Sequence, residues 1–239
     1  MAKLMRLDKL LSEMSVGTRS EVKQMIKKGR ITVDGVVVKK PEMKVDPDHV
    51  EITAEGRSIS YAKEEYIMLH KPAGVVSATK DAKDKTVLDL ITDSKRKDLF
   101  PVGRLDKDTE GLLLLTSDGE LAHQLLSPKK HVDKTYYAKI RGIVDEEDVK
   151  KFAEGLDIGE ESLTLPAKLV ILDSNEESKI EVTIQEGKFH QIKRMFHAVG
   201  KEVVYLKRLS MGSLVLDETL EIGAYRPLSE EEIRNLKNR

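Results

Sequence analysis

The sequence contains no cysteine and no tryptophan, and four phenylalanines with six tyrosines bring aromatic residues to only 4%. Without cysteine there can be no disulfide, no thiolate nucleophile and no cysteine-ligated zinc or iron–sulfur site. No apolar run approaches the roughly 18 residues of a membrane helix. The first residues, MAKLMRLDKLLSEM, mix acids and bases within their first turns, which argues against a signal peptide. The expectation is a cytoplasmic protein with no membrane partner. Also missing are a G-x-S-x-G elbow, an H-E-x-x-H pair, a P-loop and a G-x-G-x-x-G turn. Of six scattered histidines, His190 and His197 lie about two turns apart on one expected helix, too far to share a metal ion. No metal site is expected.

What is present is a chain of 239 residues, 35% charged and 39% apolar. That length suits one or two domains and a core hiding about 70% of the unfolded surface. Forty-one basic and 42 acidic side chains give a net charge of −1, which conceals a strong asymmetry. Residues 1–44 carry eleven Lys/Arg against five Asp/Glu, a net +6. Residues 145–186 carry four against thirteen, a net −9, and 193–208 return to a net +4. Two basic segments flanking an acidic one suit a polyanion bound on selected faces, although each is also compatible with an ordinary solvated surface.

Hydrophobic spacing predicts a helix over 6–14, then a second from a Thr18/Glu21 capping box to about Lys28, stopped by Gly29. ITVDGVVV (31–38) reads as a hairpin around Asp34-Gly35, and VEIT (50–53) as a short strand. RSISYAKEE (57–65) lacks a period and reads as a linker, giving domains at 1–57 and 66–239 joined by 58–65. Beyond it, strands are expected at 66–70, 112–116, 135–140, 167–172, 179–184 and 203–209. Helices are expected at 86–91, 145–156 and 190–200, with a last one capped by Ser229 and Glu232. Asp118-Gly119 reads as a turn. The fold class is α+β.

Three stretches carry chemistry. In FPVGRLDKDTEGLLLLTSDG (100–119), Asp106 lies in a glycine-flanked loop that leads into a buried strand, a rigid support for a catalytic group. A turn aspartate capping its own backbone is the plainer alternative, and Asp108 and Asp118 suit that role. In IQEGKFHQIKRMFHAVGKEVVYLKR (184–208), a helix opens with Lys188, His190, Lys193 and Arg194, suited to hold phosphate or to pair a carboxylate. In HVDKTYYAKI (131–140), Tyr136 and Tyr137 point to opposite faces of a strand, one toward the core and one outward.

Together these stretches resemble the pseudouridine synthases that modify ribosomal RNA, in the branch typified by the small-subunit enzyme. GRLDKDTEGLLLLT is similar to the family's catalytic motif, with its aspartate at Asp106. KTYYAKI resembles the tyrosine motif, at Tyr136. EGKFHQIKRMF resembles the motif whose basic residue pairs with the aspartate, here Lys193, where lysine rather than arginine fits the small-subunit branch. Residues 1–55 resemble the S-four-type RNA-binding domain, and AYRPLSEEEI (224–233) is similar to the close of this branch.

The resemblance implies a small N-terminal α/β RNA-binding domain and a mixed, mainly antiparallel catalytic sheet flanked by helices. It implies isomerisation of uridine to pseudouridine without cofactor or metal. Asp106 is then the carboxylate acting at the sugar, Lys193 the cation that keeps it ionised, and Tyr136 the platform for a base drawn out of its stack, with Leu206 nearby. Arg104, His190, Arg194, Lys207 and Arg208 are expected on RNA beside the site, and Arg6, Arg19, Lys27 and Arg30 in the first domain. The expected partner is 16S ribosomal RNA in an assembling small subunit, with uridine 516 as target and a monomeric enzyme. A sister activity on 23S RNA is the alternative. A non-catalytic RNA-binding factor is a third, disfavoured because a binder has no need of the carboxylate.

Overall fold

A computed structural model describes residues 4–59, 61 and 64–238, the side chain of Lys129 aside. The Cα framework falls into two units, one of Met1–Glu65 with Thr92–Leu99, the other of Tyr66–Ile91 with Phe100–Arg239.

The first unit starts with β1 (Met5–Arg6), α1 (Leu7–Glu13) and α2 (Arg19–Lys27). The capping box expected at the start of α2 is present, with Thr18 accepting from the Glu21 N–H and Glu21 from the Thr18 N–H. Gly29 ends the helix in a left-handed conformation (φ 72°). Then come β2 (Ile31–Val33), β3 (Val36–Val37), β4 (Lys44–Val45), β5 (Ile52–Ala54) and β6 (Arg57–Ile59). Asp34 and Gly35 both have positive φ, 49° and 76°, as a type I′ turn demands. Four strands form an antiparallel sheet in the order β3-β2-β5-β6, while β1 pairs with β4. Leu7, Leu10 and Leu11 of α1 and Val22 and Ile26 of α2 are fully buried with Ile31. Each such side chain contributes about 1.5–3 kcal/mol over exposure. The linker reading needs correction. Residues 57–59 form β6, turned by Glu55-Gly56, a second pair with positive φ. Residues 60, 62 and 63 lie outside the described residues.

The second unit contains β7 (Tyr66–Lys71), β8 (Phe100–Pro101), β9 (Glu110–Thr116), α3 (Gly119–Leu126), β10 (Lys134–Arg141), α4 (Glu146–Glu154), β11 (Lys168–Asp173), β12 (Glu177–Ile184), α5 (Gln191–Ala198), β13 (Glu202–Met211), β14 (Leu214–Val215), β15 (Tyr225–Pro227) and α6 (Glu230–Lys237). One sheet runs β11-β12-β10-β13-β9-β7-β15, with β14 added to β13 and β8 to β9. All its pairings are antiparallel except β13 with β9, so the α+β class and the mixed, mainly antiparallel sheet are as expected. Leu112–Leu115 are buried on both faces of β9, which explains an unbroken apolar run rather than an alternating one. Phe196 of α5 meets Phe152 of α4 with ring centroids 4.8 Å apart.

Two expectations fail here. The helix at 86–91 contracts to one 3₁₀ turn, Leu88–Leu90. Asp118-Gly119 starts a helix rather than turning the chain. The Asp118 carboxylate caps α3 by accepting from the Leu121 N–H, and it also accepts from the Tyr66 hydroxyl at 2.7 Å.

Candidate active site

Asp106 stands in the loop between β8 and β9, and that loop is stapled from two sides. The ammonium of Lys71, at the end of β7, donates to the carbonyls of Pro72 (3.0 Å), Asp106 (3.1 Å), Lys107 (3.4 Å) and Thr109 (2.8 Å). Ser77 donates to the Leu105 carbonyl at 2.9 Å and accepts the Leu105 N–H at 3.0 Å. The Gly74 N–H donates to the Lys107 carbonyl at 2.7 Å. Lys71 is fully buried, and burial lowers its pKa to about 8, although Asp108 and Asp106 act to raise it. Sequence reasoning missed this lysine.

Gly111 sets where β9 meets β13. At φ 105°, with Arg208 opposite in the parallel register, an added Cβ would overlap the Arg208 carbonyl and lie 2.6 Å from its N. Only glycine allows this approach.

Lys193 comes from the first turn of α5. Its Nζ lies 3.0 Å from Asp106 Oδ2 and 2.6 Å from Asp108 Oδ1. Burial acts to lower the pKa of Lys193, but the two carboxylates outweigh it and raise the value. For Asp108, burial acts upward, and the hydrogen bond from Lys193 turns the net shift downward. Asp108, read from sequence as a plain turn residue, therefore shares the cation.

His190, at the N-cap of α5, has a left-handed backbone (φ 49°) and places Nε2 3.6 Å from Asp106 Oδ1. Its ring stacks on Phe189, with centroids 3.8 Å apart and planes at 20°. Buried Gln191 fixes the approach to the helix, donating to Glu186 and accepting the Lys188 N–H.

Tyr136 projects from β10, and Leu206 and Arg208 from β13. Tyr136 and Arg208 are paired across the two strands, and Leu206 lies two residues away on the same face. Asp106, Tyr136, Lys193 and Leu206 line one pocket of about 80 Å³ together with Arg104. A larger pocket of about 420 Å³ shares Arg104, Asp106, Tyr136 and His190, and reaches Lys134 and Arg208. Tyr136 is 7% exposed and its hydroxyl makes no hydrogen bond among the described residues. Tyr137, on the other face, packs edge-on against Tyr205.

Not every basic residue expected at an RNA contact is available there. Arg104 is exposed at the pocket. Arg194 is occupied within the chain, by Glu160 at 2.6 Å, by the Phe189 carbonyl at 3.1 Å and by the Ile158 carbonyl. Lys207 is on the face of β13 opposite Leu206, away from the pocket, because strand side chains alternate. Arg208 is 2% exposed, and its Nε donates to the Leu112 carbonyl at 2.7 Å. A surface contact for Arg208 is thus corrected to a place in the pocket wall. Among the described residues no His, Asp and Glu cluster could hold a metal ion, and no helix is long and apolar enough to cross a membrane.

In the first unit, buried Asp8 gathers cations. Arg6 donates to it twice, at 3.0 and 2.9 Å, and Arg19 and Lys23 lie 3.7 and 4.0 Å away. The hydrogen bond from Arg6 lowers the Asp8 pKa against the opposing effect of burial. Lys27 is exposed, and Arg30 pairs with Glu55 at 2.9 Å.

The chain is similar to known proteins over nearly its whole length. Residues 65–198 match the family model described as RNA pseudouridylate synthase, and 5–50 match the S4 domain. The chain is 50% identical over 234 residues to an uncharacterized RNA pseudouridine synthase of Bacillus subtilis, covering 97% of this chain and 98% of the other. It is 42% identical to the ribosomal small subunit pseudouridine synthase A of Vibrio cholerae, covering 97% and 99%. A crystal structure of a pseudouridylate synthase, 39% identical, superposes with a TM-score of 0.69 over 97% of this chain and 99% of that one.

Proposed function

Given that the chain belongs to the RNA pseudouridylate synthase family, we propose that it isomerises one uridine of ribosomal RNA, uridine 516 of the 16S molecule, in the cytoplasm and within an assembling small subunit. The observation that supports this most directly is the Asp106–Lys193 pair at 3.0 Å in a pocket shared with Tyr136 and Leu206.

The reaction breaks the bond between N1 and C1′, turns the uracil, and joins C5 to C1′. The C5 proton leaves and N1 gains one. Asp106 is the carboxylate that acts on the sugar, by attack at C1′ or by proton removal at C2′. Lys193, 3.0 Å away, aims it and balances its charge. The loop stapled by Lys71 and Ser77 keeps the carboxylate in position without reorganisation at the moment of reaction. The uridine leaves its stack at a cost of a few kcal/mol, and the ring of Tyr136, with Leu206 beside it on the same face of the sheet, receives the base. Domain 1–57 supplies RNA affinity through Arg6, Arg19 and Lys27, and the enzyme works as a monomer without cofactor.

Pseudouridine mapping of total ribosomal RNA, from cells with and without this protein, tests the proposal. Loss of the modification at uridine 516 alone is expected. Loss at a 23S position would move the target to the large subunit, and no change would refute the activity on ribosomal RNA.

A further inference from the structure

The larger pocket contains a charge imbalance. Lys134 and Tyr136 on β10, with Leu206 and Arg208 on β13, present one continuous face, because residues two apart on a strand point the same way. Lys134 is 8% and Arg208 2% exposed, and both line the pocket. Within the chain, Arg208 uses one donor, Nε, on the Leu112 carbonyl, while its Nη2 is buried with no hydrogen-bond partner. Lys134 donates to the Val132 carbonyl at 3.0 Å. Neither cation has an ion-pair partner among the described residues.

None of the acids around the pocket forms an ion pair with Lys134 or Arg208, although Asp133 acts on Lys134 through its charge. Asp106 pairs with Lys193, Glu186 accepts from Gln191 and the Leu165 N–H, and Asp133 accepts from Gln185. Burial lowers the pKa of Lys134, the charge of Arg208 lowers it further, and the neighbouring Asp133 opposes both without reversing the shift. Two neighbouring buried cations, neither in an ion pair and one with a buried N–H group left without a hydrogen-bond partner, are only partly offset by Asp133 and are unfavourable. An entering anion would remove the imbalance.

We propose that Lys134 and Arg208 form a buried anion site for one phosphodiester of the RNA, adjoining the nucleotide presented to Asp106. The guanidinium offers a planar fork suited to two phosphate oxygens, and the ammonium a point charge beside it. The exposed Arg104 meets the strand at the rim, whereas Lys134 and Arg208 act only once the strand has entered. The identity of the ligand as RNA rests on the function proposed above; the charge imbalance does not.

The test is binding of the full-length protein to a 16S transcript over a range of salt, with ethylation interference to locate the phosphates required. Arg208→Met and Lys134→Gln should each reduce the slope of log K against log salt by about 0.7, the amount for one phosphate on a single strand. The double variant should lose no more than either alone. Interference at one phosphate beside the converted uridine should vanish in both variants and persist elsewhere. Arg208→Lys should keep the slope while lowering affinity. If Arg208→Met does not fold, Lys134→Gln gives the same reading. An unchanged slope and interference pattern in the soluble variants would overturn the site. Stabilisation by inorganic phosphate that depends on both residues, with an unchanged RNA slope, would overturn the phosphodiester assignment in favour of a free anion. Conversion of uridine by the wild-type protein in the same transcript is scored separately, so failure of the anion site and failure of the isomerase reading give different results.

Discussion

The ammonium of Lys193 lies 2.6 Å from a carboxylate oxygen of Asp108, closer than the 3.0 Å that separates it from Asp106. One cation thus serves two carboxylates two residues apart. Asp108 is much the more exposed, so its share of the pair is better screened by solvent.

That sharing separates two substitutions. Lys193→Met removes the cation paired with Asp106 and should lower kcat by roughly 10²–10³-fold. Asp108→Asn leaves Lys193 to Asp106 and should keep activity within about tenfold. A wild-type kcat in the Lys193→Met protein, or a larger loss in Asp108→Asn than in Lys193→Met, would contradict the scheme. In the native protein, the Lys193 pKa is raised above 10.5, so its pairing is intact at neutral pH and is lost only as pH rises through that elevated value.

Asp106→Asn should abolish isomerisation while leaving fold and RNA affinity near wild type, because shape is kept and the ionised oxygen is lost. Single-turnover assays and RNA titrations on the same preparation check both halves.

Lys71 introduces a different pH dependence. Its folded pKa of about 8 lies below the ordinary 10.5, so between these values the unfolded chain binds the extra proton. Its contribution to stability therefore rises with pH across this window. Over the same window the side chain loses a donor to the carbonyls around Asp106. Activity should fall along an alkaline limb near pH 8 with no matching fall in Tm. Lys71→Met should abolish the limb, lower kcat and cost about 1–3 kcal/mol of stability, since buried carbonyls lose their donor.

For Tyr136, the ring and the hydroxyl can be told apart. Tyr136→Phe should retain most base binding, whereas Tyr136→Leu should lose roughly 1–3 kcal/mol of it. Equal defects in RNA affinity would assign the role to the hydroxyl instead.

In the first unit, Arg19→Glu with Lys27→Glu should weaken RNA binding and flatten its salt dependence, because fewer phosphates are neutralised and fewer counterions released. Turnover at saturating RNA should change little. An unchanged salt slope would show that this face does not meet RNA.

Local signals were legible wherever the determinant was local. The Thr18/Glu21 box, Asp34-Gly35 and the Ser229 cap each act over a few residues, and all three form. Asp118-Gly119 misleads because the same dipeptide suits a turn or a helix start. The deciding signal was Leu121 and Leu125, four apart, both buried on α3. Lys71 could not be read, since its carbonyl partners are supplied mainly by a loop 35 to 38 residues away. Arg208 looked like part of a basic surface cluster, although strand alternation from Leu206 already put it on the pocket face. Asp106 and Lys193 are far apart in sequence, one in a loop before β9 and the other on α5. Motif resemblance, rather than spacing or periodicity, was what linked them.

The membership of Thr92–Leu99 in the first unit has a consequence for synthesis. Within that segment, Arg96 pairs with Asp98 at 2.7 Å and with Glu13 at 3.4 Å, Ser94 donates to Glu65, and the Lys97 N–H donates to the Glu13 carbonyl. As the chain leaves the ribosome, the helices and hairpins of 5–59 emerge first but lack these partners. Then β7 emerges, ahead of β9, with which it must pair. Only after residue 99 is out can the N-terminal unit complete its fold, and by then the polypeptide has passed into the second unit and back. A shortened protein that starts near residue 58 would keep Arg96 and lose Glu13, so each unit is best isolated with this excursion moved or replaced rather than by a single cut.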